Sequence, residues 1–367
     1  MKKILSVMLL LTMFTTAACS TGSKINESES TTQATVATEP TEAVKDNSDI
    51  KSGIDEVLKK CDFEGIVYLA KNGEVVYQSA TGINENEETV TVDTPMPVGS
   101  VSKQFCAAAI LMLRDQGKLS LDDTLSKYFP EYEIGKDITL KQLLSMQSGI
   151  YDMVNEGVVD DMSADNSEEA NTEIIKNWIF SQELKFEPGS TTSYSNSNYF
   201  LLGNIVEQVS GEKYMDFLRE NIFTPLGMNN TGSIEEAVDS PAWLNGETFD
   251  SLEDAKMRGL TKGAGNLIST ARDMDLWLTA LRGGKVISPD SYKEMTTNYA
   301  DQIANQYGYG LIPGIYGGVW HSGGIGRYFA FDYTNADEGY NLFVASNTAT
   351  PAKVATLHMD LLRVVLG

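Results

Sequence analysis

Apolar and polar positions follow two different rhythms along this chain. Over 63–79 the rhythm is that of strands: Phe63-Glu64-Gly65-Ile66-Val67-Tyr68-Leu69-Ala70, a break at Lys71-Asn72-Gly73-Glu74, then Val75-Val76-Tyr77-Gln78-Ser79. Asn-Gly suits the two positive φ values of a tight turn, so these residues read as a β-hairpin. A long apolar stretch then opens at Ser100 and runs to Gly117, as expected of a buried helix. Helical and loop segments follow at 140–146, 171–180, 199–208, 214–222 and 271–281. Strand chemistry returns in short aromatic and β-branched runs at 318–321, 327–333 and 340–346, separated by Gly, Asn and Asp. A closing helix is expected over 351–366, with Pro351 in its first turn and Gly367 just past its end. Strands at both ends with helices between them predict an α/β (α+β) fold. It has one antiparallel sheet completed by both ends of the chain, flanking helices and a mainly helical inserted region.

The N-terminus breaks this pattern. Lys2 and Lys3 precede an apolar run over 4–14 and then Thr15-Thr16-Ala17-Ala18-Cys19, which reads as a secretory signal peptide over 1–18. Cys19, directly after two alanines, resembles the bacterial lipobox cysteine, although Thr16 stands where that pattern prefers leucine. The expectation is an extracytoplasmic protein anchored to the membrane through a lipid on Cys19, or a secreted one if Cys19 is not lipidated. Residues 20–47 are rich in Ser, Thr, Glu and Ala and nearly devoid of large apolar side chains, so they cannot bury enough surface to order themselves. The chain thus divides into a signal (1–18), a disordered tether (19–47) and one catalytic unit (48–367).

Composition narrows the partners. The formal net charge of -23 becomes -25 once the two signal lysines are removed, which makes nucleic acid an implausible partner. With two histidines in the chain a zinc cluster is not expected. Cys61 and Cys106 remain in the catalytic unit, and their positions alone leave open whether they approach closely enough to bridge.

The candidate chemistry lies at the mouth of the apolar helix, in Val98-Gly99-Ser100-Val101-Ser102-Lys103. A helix returns to one face after three residues, so Ser100 and Lys103 can meet locally as nucleophile and base. The same S-x-x-K spacing recurs at Ser48/Lys51 and Ser210/Lys213. Ser48, however, ends a polar tract, and Ser210 is followed by the helix-ending Gly211. Two further patterns follow Ser100 in order: Tyr194-Ser195-Asn196, and His321-Ser322-Gly323-Gly324. Other Lys-Ser-Gly and Tyr-x-Asn matches, at Lys51 and Tyr333, fall outside this order.

Taken in series, these motifs resemble the serine β-lactamase and penicillin-binding protein superfamily, in the branch holding class C β-lactamases, D-alanyl-D-alanine carboxypeptidases and related esterases. The likeness extends to Gln142-Leu143-Leu144 with Ser148-Gly149, to Tyr199-Phe200-Leu201-Leu202-Gly203, and to Pro225-Leu226-Gly227-Met228. The resemblance implies a β-lactamase/transpeptidase-like fold, with Ser100 as acylated nucleophile and Lys103 and Tyr194 as the proton-transfer pair. Asn196 would hydrogen-bond near substrate and lysine. His321 and Gly323 would lie on the strand flanking the site, and the Gly324 and Ser100 N–H groups would form the oxyanion hole. Family β-lactamases usually carry lysine where His321 stands, which lowers the expectation of efficient β-lactam hydrolysis.

Arg327 is a candidate for meeting a substrate carboxylate, and Asn347 for bordering the cleft. The segment 151–173 holds eight acids and no Lys or Arg, and it either rims the cleft or is a solvated loop. The expected activity is a D-alanyl-D-alanine carboxypeptidase-like serine hydrolase. An esterase or class C-like β-lactamase is the alternative within the class, and a non-catalytic binding module for wall peptide or antibiotic is the alternative outside it. The partner is a small molecule or peptide: a cell-wall stem peptide, a β-lactam or an ester. Serine, lysine, tyrosine and backbone donors suffice for acyl transfer, so neither metal nor organic cofactor is implied.

Overall fold

The computed structural model describes residues 47–84, 87–156, 167–239, 259–300 and 306–367. The signal segment, Cys19 and nearly all of the tether lie outside these. No helix among the described residues is long and apolar enough to cross a membrane.

The main sheet has six strands in the order β2-β1-β9-β8-β7-β6: β1 (Ile66–Lys71) and β2 (Glu74–Ala80) come from one end of the chain, β6 (Ile312–Ile315), β7 (Gly318–Ile325), β8 (Tyr328–Thr334) and β9 (Tyr340–Ser346) from the other. All its pairings are antiparallel, so the expected assembly of one sheet from both chain ends is what forms. Asn72 (φ 52°) and Gly73 (φ 83°) make the tight turn between β1 and β2, as the Asn-Gly pair predicts.

Both faces of this sheet are covered, which explains the near-continuous apolar runs of β1 and β9. The pleat deals alternate residues to two cores. Ile66, Tyr68, Phe343 and Ala345 face the helical region, while Val67, Leu69, Leu342 and Val344 face α1 (Asn47–Cys61) and α11 (Pro351–Leu366). Helix α1 is not among the elements expected from sequence, and its first residue, Asn47, falls in the stretch expected to be tether. Its apolar positions Ile50, Ile54, Val57, Leu58 and Cys61 nonetheless recur with helical period. Ser48 and Lys51 are exposed on it, which removes them as a catalytic pair.

The inserted region carries α2 (Lys103–Asp115), α3 (Leu140–Leu144), α4 (Glu168–Ser181), α5 (Asn196–Ser210), α6 (Tyr214–Leu218), α7 (Thr224–Leu226), α8 (Ile234–Asp239), α9 (Ala271–Arg282) and α10 (Pro289–Met295). A second small sheet, absent from the expectation, orders β3 (Met96–Pro97), β5 (Leu267–Ser269) and β4 (Gly232–Ser233) as β3-β5-β4. Ser102, inside the first motif, ties that sheet down by accepting a hydrogen bond from the Leu267 N–H (3.1 Å). Helix α5 ends at Gly211 in the left-handed conformation (φ 81°), so Ser210 belongs to a helix end and not to a nucleophile. Cys61 and Cys106 are both free thiols.

Candidate active site

The first motif adopts a single 3-10 turn, Gly99–Ser102, feeding directly into α2. Lys103 is fully buried. Its Nζ reaches Ser100 Oγ at 3.1 Å, Asn196 Oδ1 at 2.8 Å and the Ala264 carbonyl at 2.5 Å. An ammonium donates to all three. A neutral amine donates to Asn196 and Ala264 and offers its lone pair to the Ser100 O–H, so the same geometry serves both protonation states. Burial lowers the Lys103 pKa to about 7, with the Asp152 carboxylate pulling the other way. Roughly half of Lys103 is then neutral at pH 7, against a negligible fraction for a lysine at its ordinary pKa of about 10.4.

Tyr194 lies beside this pair, its ring centroid 4.9 Å from Lys103 Nζ. Burial drives the phenol pKa upward, more strongly than the nearby Ser100 hydroxyl lowers it. Its hydroxyl is buried without a hydrogen-bond partner of good geometry in the resting site. Tyr194 is therefore a neutral hydroxyl poised to relay a proton, and Lys103 is the group whose pKa suits a base.

Asn196 opens α5, which packs on α2. Its Oδ1 faces Lys103, while its Nδ2 donates to both Asp152 carboxylate oxygens at 3.1 and 3.0 Å. Asp152 belongs to the acidic segment 151–173, for which a cleft rim or a solvated loop is expected. The structure instead buries it and also gives it the Asn155 side-chain amide at 2.6 Å. The other described acids of that segment meet lysines: Glu156 with Lys185, Glu168 with Lys262, Glu169 with Lys213 and Glu173 with Lys176. Asp160, Asp161 and Asp165 lie outside the described residues.

His321 sits on β7 one residue past the point where pairing with β6 stops, at Trp320. Its ring is buried, with Nδ1 2.6 Å from the Ser322 carbonyl and Nε2 3.1 Å from Tyr307 Oη. A carbonyl can only accept, so Nδ1 carries the proton and Nε2 accepts from Tyr307. Burial, helped by Lys103, holds the His321 pKa down at about 3, leaving a neutral ring. Tyr307 stands in none of the sequence motifs. It also meets Tyr194 edge to face, with ring centroids 6.0 Å apart, and closes an aromatic wall around the pair.

The two proposed oxyanion donors come together by backbone contact. Beyond Trp320, β7 packs against the 3-10 turn: a Cβ on Gly323 would stand 1.9 Å from the Val98 carbonyl and 2.6 Å from the Ser100 nitrogen. A Cβ on Gly99 (φ +52°) would stand 2.6 Å from the Gly324 nitrogen. Only glycine allows this approach. The Ser100 N–H lies in the first turn of its helix, where no intrahelical acceptor exists. Serine, lysine, a phenol and paired backbone donors in one buried corner can carry out acyl transfer through a covalent serine intermediate.

The structure does not bring the two remaining candidates into this cluster. Arg327 is exposed in the turn between β7 and β8, with its guanidinium 5.9 Å from the Tyr328 ring centroid. Asn347 is buried just past β9 and donates to the Ile83 carbonyl at 3.0 Å, so it braces the loop after β2.

The arrangement, on a mixed α/β scaffold, is the one that active-site-serine hydrolysis requires. The Beta-lactamase family model matches residues 50–366, and the chain belongs to that family, whose members include penicillin-binding-protein-like serine hydrolases. It is 31% identical over 332 residues to the "Putative penicillin-binding protein PbpX" of Bacillus subtilis, covering 85% of this chain and 81% of that one. It is 30% identical over 256 residues to the "D-aminopeptidase" of Brucella anthropi, covering 67% of this chain but 48% of that longer protein. Among solved structures, the octameric penicillin-binding protein homologue from Pyrococcus abyssi superposes with a TM-score of 0.70 at 27% identity, over 87% of this chain and 78% of that one.

Proposed function

We propose that this protein hydrolyses D-alanyl-type peptides of the cell wall through an acyl-enzyme on Ser100, in the manner of a D-alanyl-D-alanine carboxypeptidase. The observation that carries the reading is Lys103 Nζ, 3.1 Å from Ser100 Oγ with a pKa lowered to about 7. The Ser100 proton passes to Lys103 as Oγ attacks the scissile carbonyl. The Ser100 and Gly324 N–H groups receive the oxyanion. The proton is then relayed through Tyr194 to the leaving amine as the C–N bond breaks. Water, deprotonated by the same pair, releases the acyl group and restores Ser100.

A second reading has support in His321. A neutral imidazole, with Nδ1–H on a carbonyl and Nε2 taken by Tyr307, offers no cation to a substrate carboxylate. This favours D-amino-acid amides or esters without a free C-terminal carboxylate, and it disfavours efficient β-lactam turnover. Steady-state assays on an acyl-D-Ala-D-Ala peptide, its C-terminal amide, a D-alanine ester and benzylpenicillin separate the readings. Fastest kcat/KM on the free acid supports the carboxypeptidase, whereas preference for amide or ester transfers the assignment to the second reading.

The proposed location is outside the cytoplasm, tethered by a lipid on Cys19, on the strength of the N-terminal sequence. Metabolic labelling with a fatty-acid analogue, lost in Cys19→Ala, tests it.

A further inference from the structure

Next to the Ser100–Lys103 pair a chain of buried polar groups crosses the core. Trp277 Nε1 on α9 donates to Gln104 Oε1 at 2.9 Å. Gln104 Nε2 donates to Asp332 Oδ2 on β8 at 2.7 Å. The other Asp332 oxygen, Oδ1, accepts from the backbone N–H of His321 at 3.0 Å. Trp277, Gln104 and Asp332 are all buried, and Trp277 is further fixed by stacking on Phe105 at 3.9 Å. Burial pushes the Asp332 carboxyl up to about 7, so above that pH it is a buried carboxylate held by neutral donors, a costly feature that the acyl-transfer steps do not use.

The direction of every bond in the chain is fixed by its ends. The indole nitrogen is donor only, so it turns the Gln104 oxygen toward itself and the Gln104 amino group toward β8. The His321 backbone nitrogen is also donor only. The side chain at position 332 therefore faces two donors and must accept on both of its ends. A carboxylate does this and an asparagine cannot, because one of its ends is itself a donor. Gln104 directly follows Lys103 on α2, and His321 lies three residues before Gly324 on β7. Asp332 thus touches both the helix bearing the base and the strand bearing the oxyanion donor.

We infer that Asp332 is a positioning residue that sets the spacing between the Ser100–Lys103 turn and the Gly324 segment of β7 through its paired bonds to Gln104 and the His321 N–H. It touches no reacting atom. Its action is to hold two backbones in register while the glycines at 99 and 323 let them come close. The inference rests on the acyl-enzyme reading above, and its test is built to be separable from that reading.

The test exchanges the polarity of the chain. In Asp332→Asn the new amide has one accepting end for two donors, so its nitrogen opposes either the Gln104 amino group or the His321 N–H. Combining Asp332→Asn with Gln104→Glu moves the carboxylate one position along. The introduced glutamate then accepts both from Trp277 and from the introduced asparagine amide, whose carbonyl oxygen still accepts from the His321 N–H. At pH 8, single-turnover acylation by p-nitrophenyl acetate and benzylpenicillin should fall at least tenfold in Asp332→Asn. The concentration giving half-maximal rate should move less than threefold, and the double variant should recover most of the loss. If Asp332→Asn does not fold, the double variant must fold and acylate within about threefold of the parent. A single variant as fast as the parent, or a double variant no better than the single, overturns the inference. If the unaltered enzyme is not acylated by any probe, the functional reading fails instead. Amide hydrogen exchange at His321 then decides the positioning role: protection lost in the single variant and regained in the double supports it, and unchanged protection in the single, or none regained in the double, overturns it.

Discussion

Asp152 grips the amide nitrogen of Asn196 with both carboxylate oxygens, at 3.1 and 3.0 Å, and so turns the Asn196 carbonyl oxygen onto Lys103 Nζ at 2.8 Å. One buried acid thereby orients a ligand of the base and acts on the base itself, raising a Lys103 pKa that burial lowers.

Replacing Asp152 with Asn removes that charge, so the Lys103 pKa should fall further and the acid limb of the acylation pH profile should move to lower pH. The plateau rate should drop about tenfold, the scale of one charge-assisted hydrogen bond at ~1.5 kcal/mol. Stopped-flow ester acylation between pH 5 and 9 reads both, and a limb displaced to higher pH would refute the electrostatic argument.

For the unaltered enzyme the same profile should rise through a midpoint near 7 as Lys103 loses its proton and the Asp332 carboxyl, pushed up to about 7 by burial, loses its own. Lys103→Arg keeps the charge but cannot deprotonate, and acylation should fall by about three orders of magnitude, the usual scale of a lost general base.

His321 titrates far below that range, at about 3. His321→Asn should therefore leave the midpoint near 7 in place, even where the overall rate declines. Disappearance of the limb in this variant would assign it to the histidine.

Gly323→Ala places a methyl group 1.9 Å from the Val98 carbonyl and 2.6 Å from the Ser100 nitrogen. The strand must back away from the turn, with a stability loss of about 1–3 kcal/mol by thermal or chemical unfolding. Acylation should fall on the order of a hundredfold, as when one oxyanion donor is displaced.

Sequence carries much of this architecture because its signals are local. Asn72-Gly73 fixes the first hairpin, and β9 and α11 fall on 340–346 and 351–366 as their apolar runs and Pro351 require. Ser100, Lys103, Tyr194, Asn196, His321 and Gly324 belong to motifs whose order is readable, and the fold gathers them into one corner. The features that sequence does not show depend on distant contacts or are masked by composition. Asp152 is hidden in an acidic segment whose other described acids pair with lysines, and its burial against Asn196 sets it apart. Tyr307 lies in no motif and joins the site through His321, fourteen residues on. Strands β3, β4 and β5 are two or three residues long, too short to show a period. Helix α1 does carry a helical apolar period, which the polar tract before it obscures.

The central claim is a covalent acyl-enzyme on Ser100, and intact-protein mass spectrometry of residues 48–367 after brief exposure to benzylpenicillin and to a D-alanine ester tests it most directly. An added acyl mass that maps to the Ser100 peptide with at least one reagent, and that vanishes in Ser100→Ala, is the predicted result. The same adduct persisting in Ser100→Ala, or hydrolysis of either reagent at an undiminished rate in that variant, would contradict it.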